Sequence, residues 1–108
     1  MIQEFDDILR AVRDWSGQVP FSPEILQGDA DGLRILWETP THLAELLVCR
    51  GEYAPYRYVS FQVLDIQRDV AQAAVYSYYD EENSTTEEIL DALEQGIAHM
   101  KKGLKQNA

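Results

Sequence analysis

The segment 33–79 is the strongest constraint on the fold of this chain. It contains four short runs rich in β-branched and aromatic residues, separated by a few turn-forming residues. Such runs are typical of β-strands. Connections this short join antiparallel neighbours, because they leave no room for crossover helices. The sequence therefore predicts a four-stranded antiparallel meander with strands 33–39, 43–50, 57–66 and 70–79.

Amphipathic helices are predicted on both sides of this meander. In residues 1–16 apolar side chains recur at intervals of three and four, and Ser16-Gly17 ends the pattern. The same spacing returns after residue 84 and continues to Leu104. Two capping boxes fit the start of this second helix equally well, one pairing Ser84 with Glu87 and one pairing Thr85 with Glu88.

The segment 18–32 is expected to be a loop. Its two prolines and two glycines interrupt any longer period, and Ser22-Pro23-Glu24 could start a single helical turn at most. The run 28–32 echoes the acid and glycine spacing of a calcium loop but lacks its later ligands, so it is predicted to be a turn before the first strand.

The predicted fold is α+β, with the element order α-β-β-β-β-α in a single domain of residues 1–108. Two amphipathic helices and one meander bury their apolar faces most simply as two layers, with both helices on one face of the sheet. The expected core includes Phe5, Leu9, Trp15, Ile89, Leu93 and Ile97.

The charge balance limits the classes of partner. The chain has 19 acidic and 9 basic side chains, and its formal net charge is -10. A negative surface opposes binding to nucleic acid and to anionic lipid. No apolar run approaches the roughly 20 residues that span a bilayer. The single cysteine and the lack of a signal-peptide pattern at the start predict a cytoplasmic protein without nucleic-acid or membrane partners.

No catalytic constellation is recognisable in the sequence. The only histidines, His42 and His99, lie in no nucleophile setting and are expected to be surface or boundary residues. Cys49 is expected to be a small buried hydrophobe. There is no phosphate-binding glycine loop and no paired cysteine motif. We therefore expect a protein that is not an enzyme and uses no cofactor or metal.

The acidic segment 80–94 and the tyrosines are the candidate binding residues. Seven acids and no base lie in this segment, and all six tyrosines fall within 53–58 and 76–79. The acids fit either a solvated helix start stabilised by its dipole or a negative patch that steers a basic partner. Tyrosine likewise suits half-exposed strand positions as well as interfaces. The predicted partner-binding residues are Tyr76, Tyr78, Asp80, Glu81, Glu82, Glu87 and Glu88, with Tyr56 and Tyr58 as second choices.

Several spaced features of residues 33–100 together resemble a known group of proteins. They are a strand carrying a tryptophan (33–38), a strand ending in Arg50-Gly51, the run Phe61-Gln62-Val63-Leu64-Asp65, a tyrosine-rich strand ending at Asp80, and an acidic leucine helix from Thr85. This arrangement resembles the small immunity proteins of bacterial polymorphic toxin systems, of the TriTu type paired with ADP-ribosyltransferase toxins.

The resemblance implies a noncatalytic cytosolic protein that binds a cognate toxin and occludes its active site. The alternatives are a type III secretion chaperone, which is also small, acidic and built from helices on an antiparallel sheet, and another small acidic protein-binding or regulatory subunit. In the chaperones a helix interrupts the strands, and no such helix is visible between residues 33 and 79.

Overall fold

Two helices and a five-stranded antiparallel sheet form the structure, a computed structural model that describes residues 5–50, 58–81 and 83–106, with side chains up to Lys101. The elements are α1 (Phe5–Ser16), β1 (Pro23–Asp29), β2 (Gly32–Glu38), β3 (His42–Cys49), β4 (Val59–Asp65), β5 (Ala74–Tyr79) and α2 (Thr86–Gln106). The predicted α+β class and antiparallel arrangement are confirmed. The strands follow chain order across the sheet, as in a meander.

The prediction of four strands is wrong, because residues within the expected loop 18–32 form β1. This strand pairs with β2 at the sheet edge, with an irregularity between Ile25 and Gln27. Pro23 is tolerated because it is the first residue of an edge strand. The run 28–32 contains a turn, as predicted, but the turn joins β1 to β2. There the Asp29 carboxylate accepts hydrogen bonds from the N–H groups of Asp31 and Gly32 at 2.9 and 3.1 Å.

The last strand is shorter than predicted. Residues Val70–Gln72 form a single 3₁₀ turn, and β5 begins only at Ala74. Val70 is 96% exposed, so this β-branched residue lies in a surface turn and not at a packed position of a strand. The connection from β4 to β5 remains short enough to join antiparallel neighbours.

The inner face of the sheet carries the core. Alternate residues of β2, β3 and β4 point to this face, and all of them are buried except Asp65 at the end of β4. Both α1 and α2 pack against it, α1 on β2 and α2 on β3, β4 and β5. The six side chains predicted for the core are all buried, which confirms that prediction: Phe5, Leu9, Trp15, Ile89, Leu93 and Ile97.

An aromatic cluster joins the two helices to the sheet. Phe61 of β4 makes edge-to-face contacts with Trp15, Trp37 and Tyr76, with ring centroids 6.3, 6.3 and 6.4 Å apart. The indole N–H of Trp15 donates a 2.7 Å hydrogen bond to Glu94 of α2. This bond satisfies the one polar atom of a largely buried side chain and fixes α1 beside α2.

Candidate functional site

Tyr76 and Tyr78 lie on the inner face of the sheet. They are register partners of Val63 and Phe61, and both side chains are half-buried beneath α2. The Tyr76 hydroxyl donates a 2.6 Å hydrogen bond to the backbone carbonyl of Ala92. Burial raises the pKa of Tyr76 above its ordinary value. These two predicted binding residues therefore support α2 and leave only part of their side chains exposed.

Burial is also the main cause that raises the pKa of Tyr78. The carboxylates of Asp80 and Glu88 raise the pKa further, because they disfavour the negative charge of an ionised Tyr78. A hydrogen bond with Ser84 lowers the pKa. Tyr78 thus lies between the buried sheet and the acidic start of α2.

Asp80 is a buried structural carboxylate. It is 1% exposed, and its Oδ1 accepts hydrogen bonds from the backbone N–H groups of Tyr58 and Val59, each at 2.8 Å. These bonds satisfy donors at the beginning of β4. The predicted role of Asp80 as a surface contact does not fit this position. The sequence does not distinguish Asp80 from the acids that follow it. Only its tertiary hydrogen bonds to the backbone make it buried while its neighbours are exposed.

Five described acids of the segment remain. Glu94 accepts the hydrogen bond from Trp15, and the other four form an exposed group at the start of α2, which we call the acidic corner: Glu81, Glu87, Glu88 and Asp91. The capping box uses Thr85 and Glu88. The Glu88 N–H donates to Thr85 Oγ1 at 3.1 Å, and the Thr85 N–H donates to Glu88 Oε1 at 3.3 Å. Glu88 therefore has a structural role that Glu87 lacks. The structure is compatible with both interpretations of the acidic segment, since a helix start stabilised by its dipole also exposes its charges.

Three other predicted residues have different outcomes. Glu82 and Tyr56 lie outside the described residues. Tyr58 is half-buried and packs edge-to-face on Phe5, with ring centroids 5.1 Å apart. Its ring is therefore part of the contact between α1 and the sheet.

The outer face of the sheet is a second surface, and it contains none of the predicted binding residues. Among the described residues, no helix packs against it. Four half-buried leucines lie there in alternation with core residues: Leu36, Leu43, Leu47 and Leu64. Leu43 of β3 and Leu64 of β4 are direct register partners. The signal in the sequence was that β2, β3 and β4 carry apolar residues at both phases of the strand alternation.

Two adjoining hollows lie on the outer face. The leucine hollow, of about 230 Å³, is lined by Leu36, Leu43, Glu45, Gln62 and Leu64. The acidic hollow, of about 220 Å³, is lined by Ser22, Pro23, Glu24, Leu36, Glu38 and Leu43. The two hollows share Leu36 and Leu43, so they lie side by side, and their lining residues come from β1, β2, β3 and β4 and from Ser22 before β1.

Acidic side chains exceed basic ones around these hollows. The guanidinium of Arg34 is paired with Glu45 at 2.8 Å. Glu24 is the register partner of Leu36, and Glu38 is the register partner of Leu43, so both acids lie on the outer face. Both are exposed, and neither makes an ion pair with a residue in the described part of the chain. The outer face is therefore apolar at its centre and negative along one side.

The residues considered for chemistry lie apart from one another in the described regions. His42 is buried at the start of β3, with its Nδ1 2.7 Å from Thr41 Oγ1. His99 is half-buried against the Tyr76 ring. Cys49 is half-buried on the outer face, so the expectation of a buried hydrophobe is wrong. Its register partner Gly32 places it in the outward phase of β3.

The described residues contain no group of three potential metal ligands, and neither described helix is long and apolar enough to cross a bilayer. Comparisons of the chain with protein-family models, with curated proteins and with solved structures gave no match.

Proposed function

We propose that this protein is a noncatalytic immunity protein of the cytoplasm, which binds a basic cognate toxin and occludes its active site. The observation that carries the proposal is the outer face, where no described element covers the leucines and the flanking acids have no basic partner among the described residues. These features favour a protein-binding surface of mixed apolar and electrostatic character.

The apolar part of the outer face provides affinity. In an antiparallel sheet with one solvated face, outward positions are normally polar. Here the leucines of β2, β3 and β4 keep part of their side chains in contact with water. Each square ångström of apolar surface that a partner covers contributes about 25 cal/mol before the costs of association. A partner that covers this face therefore gains energy that the free protein cannot obtain.

The charge of the protein favours a basic partner. Its net charge of -10 creates a negative field, and toxin active sites that act on nucleotides or nucleic acids are usually positive. The outer face and the acidic corner are neighbours, because Tyr79 lies on the outer face opposite Ser60 and is followed two residues later by Glu81. A partner seated on the outer face would therefore approach along the field of the acidic corner.

The first experiment is co-expression with the genomic neighbour, with complex formation and rescue from toxicity as the measurements. The test variant is Leu43→Thr/Leu64→Thr, which removes apolar area from the outer face but keeps a high β propensity. We expect it to weaken the complex at least about tenfold, which corresponds to about 1.4 kcal/mol. The matched control is Ile66→Thr/Val70→Thr, because these exposed apolar residues lie in the turn after β4.

Unfolding measurements first establish that both variants are folded. Equal weakening by the test variant and the control would refute the outer face as the contact surface. The absence of a complex with any neighbouring gene product would refute the immunity function. A complex with a secreted effector, without rescue from toxicity, would instead support the chaperone alternative.

A second experiment tests electrostatic steering. Glu81→Lys/Glu87→Lys reverses two charges of the acidic corner and leaves the capping residue Glu88 intact. We expect association to slow at low salt and to differ much less at high salt, because screening removes long-range attraction. Asp7→Lys/Asp14→Lys changes the net charge equally on the exposed side of α1. Equal slowing by both pairs would show that net charge alone matters and would refute a steering role for the corner.

A further inference from the structure

We propose that the two hollows of the outer face bind a specific pair of side chains, an aliphatic residue in the leucine hollow and a lysine or arginine in the acidic hollow, carried two residues apart on an extended basic segment of the partner. This inference rests on the proposed function and identifies the chemistry of the partner at its surface.

The leucine hollow selects an aliphatic side chain. Its floor is formed by Leu36, Leu43 and Leu64, and its volume of about 230 Å³ exceeds the size of a single side chain. Glu45 is held at its wall by the ion pair with Arg34, whose Nε and Nη2 both donate to Glu45 Oε2 at 3.1 and 2.8 Å. Because this carboxylate is already neutralised, the hollow offers apolar contact and little net charge.

The acidic hollow selects a cation. Glu24 and Glu38 approach it from neighbouring strands, and none of the described residues that line it is basic. Leu36 and Leu43 form its apolar wall. Lysine and arginine match this combination, because their aliphatic stems pack on apolar surface while their charged ends remain near carboxylates.

The adjacency of the hollows sets the spacing of the pair. They share two lining leucines, so their occupants are neighbours. In an extended segment, residues i and i+2 lie on the same side and about 6–7 Å apart. A segment with alternating aliphatic and basic residues on one side therefore fits both hollows at once.

A second copy of this chain is a poorer occupant. A two-fold symmetric contact places the same patch on both subunits, so Glu24 and Glu38 would meet a surface with the same excess of acids. Each chain also carries a net charge of -10. The charge of the outer face thus favours a different, basic chain.

The test uses the full chain and the peptide acetyl-Leu-Ser-Lys-Ser-Leu-amide, with leucine methyl NMR as the measurement. We expect about millimolar binding, with shifts of the Leu36, Leu43 and Leu64 methyl signals. One control peptide has glutamate in place of lysine, and another has serine in place of both leucines. Both controls are expected to bind at least about tenfold more weakly.

Two protein variants locate the cation. Glu24→Lys/Glu38→Lys is expected to weaken peptide binding about tenfold, whereas Glu87→Lys/Asp91→Lys, which changes the net charge equally at the acidic corner, is expected to leave the shifts in place. Equal binding of all three peptides, no binding, shifts confined to the acidic corner, or self-association through the outer face would each overturn the inference.

The outcomes separate this inference from the proposed function. If the peptide fails to bind but the co-expressed complex still depends on Leu43 and Leu64, the side-chain pair is wrong and the immunity function stands. If the peptide binds as expected but no neighbouring gene product forms a complex, the surface chemistry is right and the immunity function is wrong.

Discussion

Gly96 of α2 lies against Phe61 and Tyr76 of the sheet. Its replacement by alanine has two effects on stability, which have opposite signs. In an exposed helix interior, alanine is about 1 kcal/mol more favourable than glycine. The backbone of Gly96 has no positive φ, so it does not itself prevent the substitution. Helix propensity alone therefore predicts that Gly96→Ala stabilises the protein.

The packing around Gly96 predicts the opposite result. An added Cβ would overlap Cε2 of Phe61 and lie 2.9 Å from Phe61 Cδ2 and from Tyr76 Cδ2. The Phe61 ring cannot easily move, because it is fully buried and its neighbours include Trp15 and Trp37. Such overpacking costs about 1–3 kcal/mol or more. The overlap is severe enough that we place the cost in the upper part of this range, so that after subtraction of the gain in propensity we expect a net loss of about 1–2 kcal/mol.

Urea unfolding followed by tryptophan fluorescence measures this effect, since both tryptophans lie in the aromatic cluster. The expected loss corresponds to a lower melting temperature, by about 4–8 °C for each kcal/mol in a domain of this size. Ala98→Gly, at an exposed position of the same helix, gives the propensity difference alone and should cost about 1 kcal/mol.

A double-mutant cycle identifies the overlap as the cause. Phe61→Leu shortens the obstructing ring, so Gly96→Ala should be less harmful in that background, with a coupling of about 0.5–3 kcal/mol. If Gly96→Ala raises stability by about 1 kcal/mol, the helix can withdraw from the sheet at no cost and the packing argument is refuted.

Three further predictions concern stability. Leu93→Ala should cost about 2–5 kcal/mol in urea unfolding, because Leu93 is fully buried between α2 and the sheet, and a loss below about 0.5 kcal/mol would contradict the two-layer arrangement. Thr85→Ala should lower the free energy of unfolding by about 1 kcal/mol, because Thr85 caps α2. Glu88→Ala should cost more than Glu87→Ala, because both acids interact favourably with the helix dipole but only Glu88 completes the capping box. Equal costs for the two acids would argue against a capping box that pairs Thr85 with Glu88. Burial raises the pKa of Tyr76, so the neutral form of its hydroxyl is favoured in the folded state. Its contribution to stability is therefore full below about pH 10 and declines as the pH rises from there through the raised pKa. Tyr76→Phe should make the loss of stability with alkaline pH less steep, and an unchanged pH profile would contradict this prediction.

The local elements of this protein were determined by the sequence itself. The end of α1 and the start of α2 follow from residues near them in the chain, namely Ser16-Gly17 and the acids and hydroxyls at residues 84–88. The antiparallel order follows from connections too short for any other topology. Such features depend on neighbours along the chain, and for that reason the helices, the meander and the apolar stripes of the core were predictable.

The tertiary structure alone decided which strands pair and which side chains are buried on one face of the sheet. β1 is a strand because β2 offers a pairing edge, although its proline and its glycine, Pro23 and Gly28, are typical of a loop. Asp80 is buried because the first amides of β4 lie beside it, whereas Glu81, one residue later, is exposed.

The candidate surface illustrates the same dependence. A strand directs alternate residues to opposite faces, but the sequence does not say which face the helices will cover. Packing of α1 and α2 on one face placed Tyr76 and Tyr78 beneath a helix and left the outer leucines half-buried, with neither described helix over them. The surface proposed for binding thus follows from the docking of the helices on the sheet, a long-range contact that no local pattern specifies.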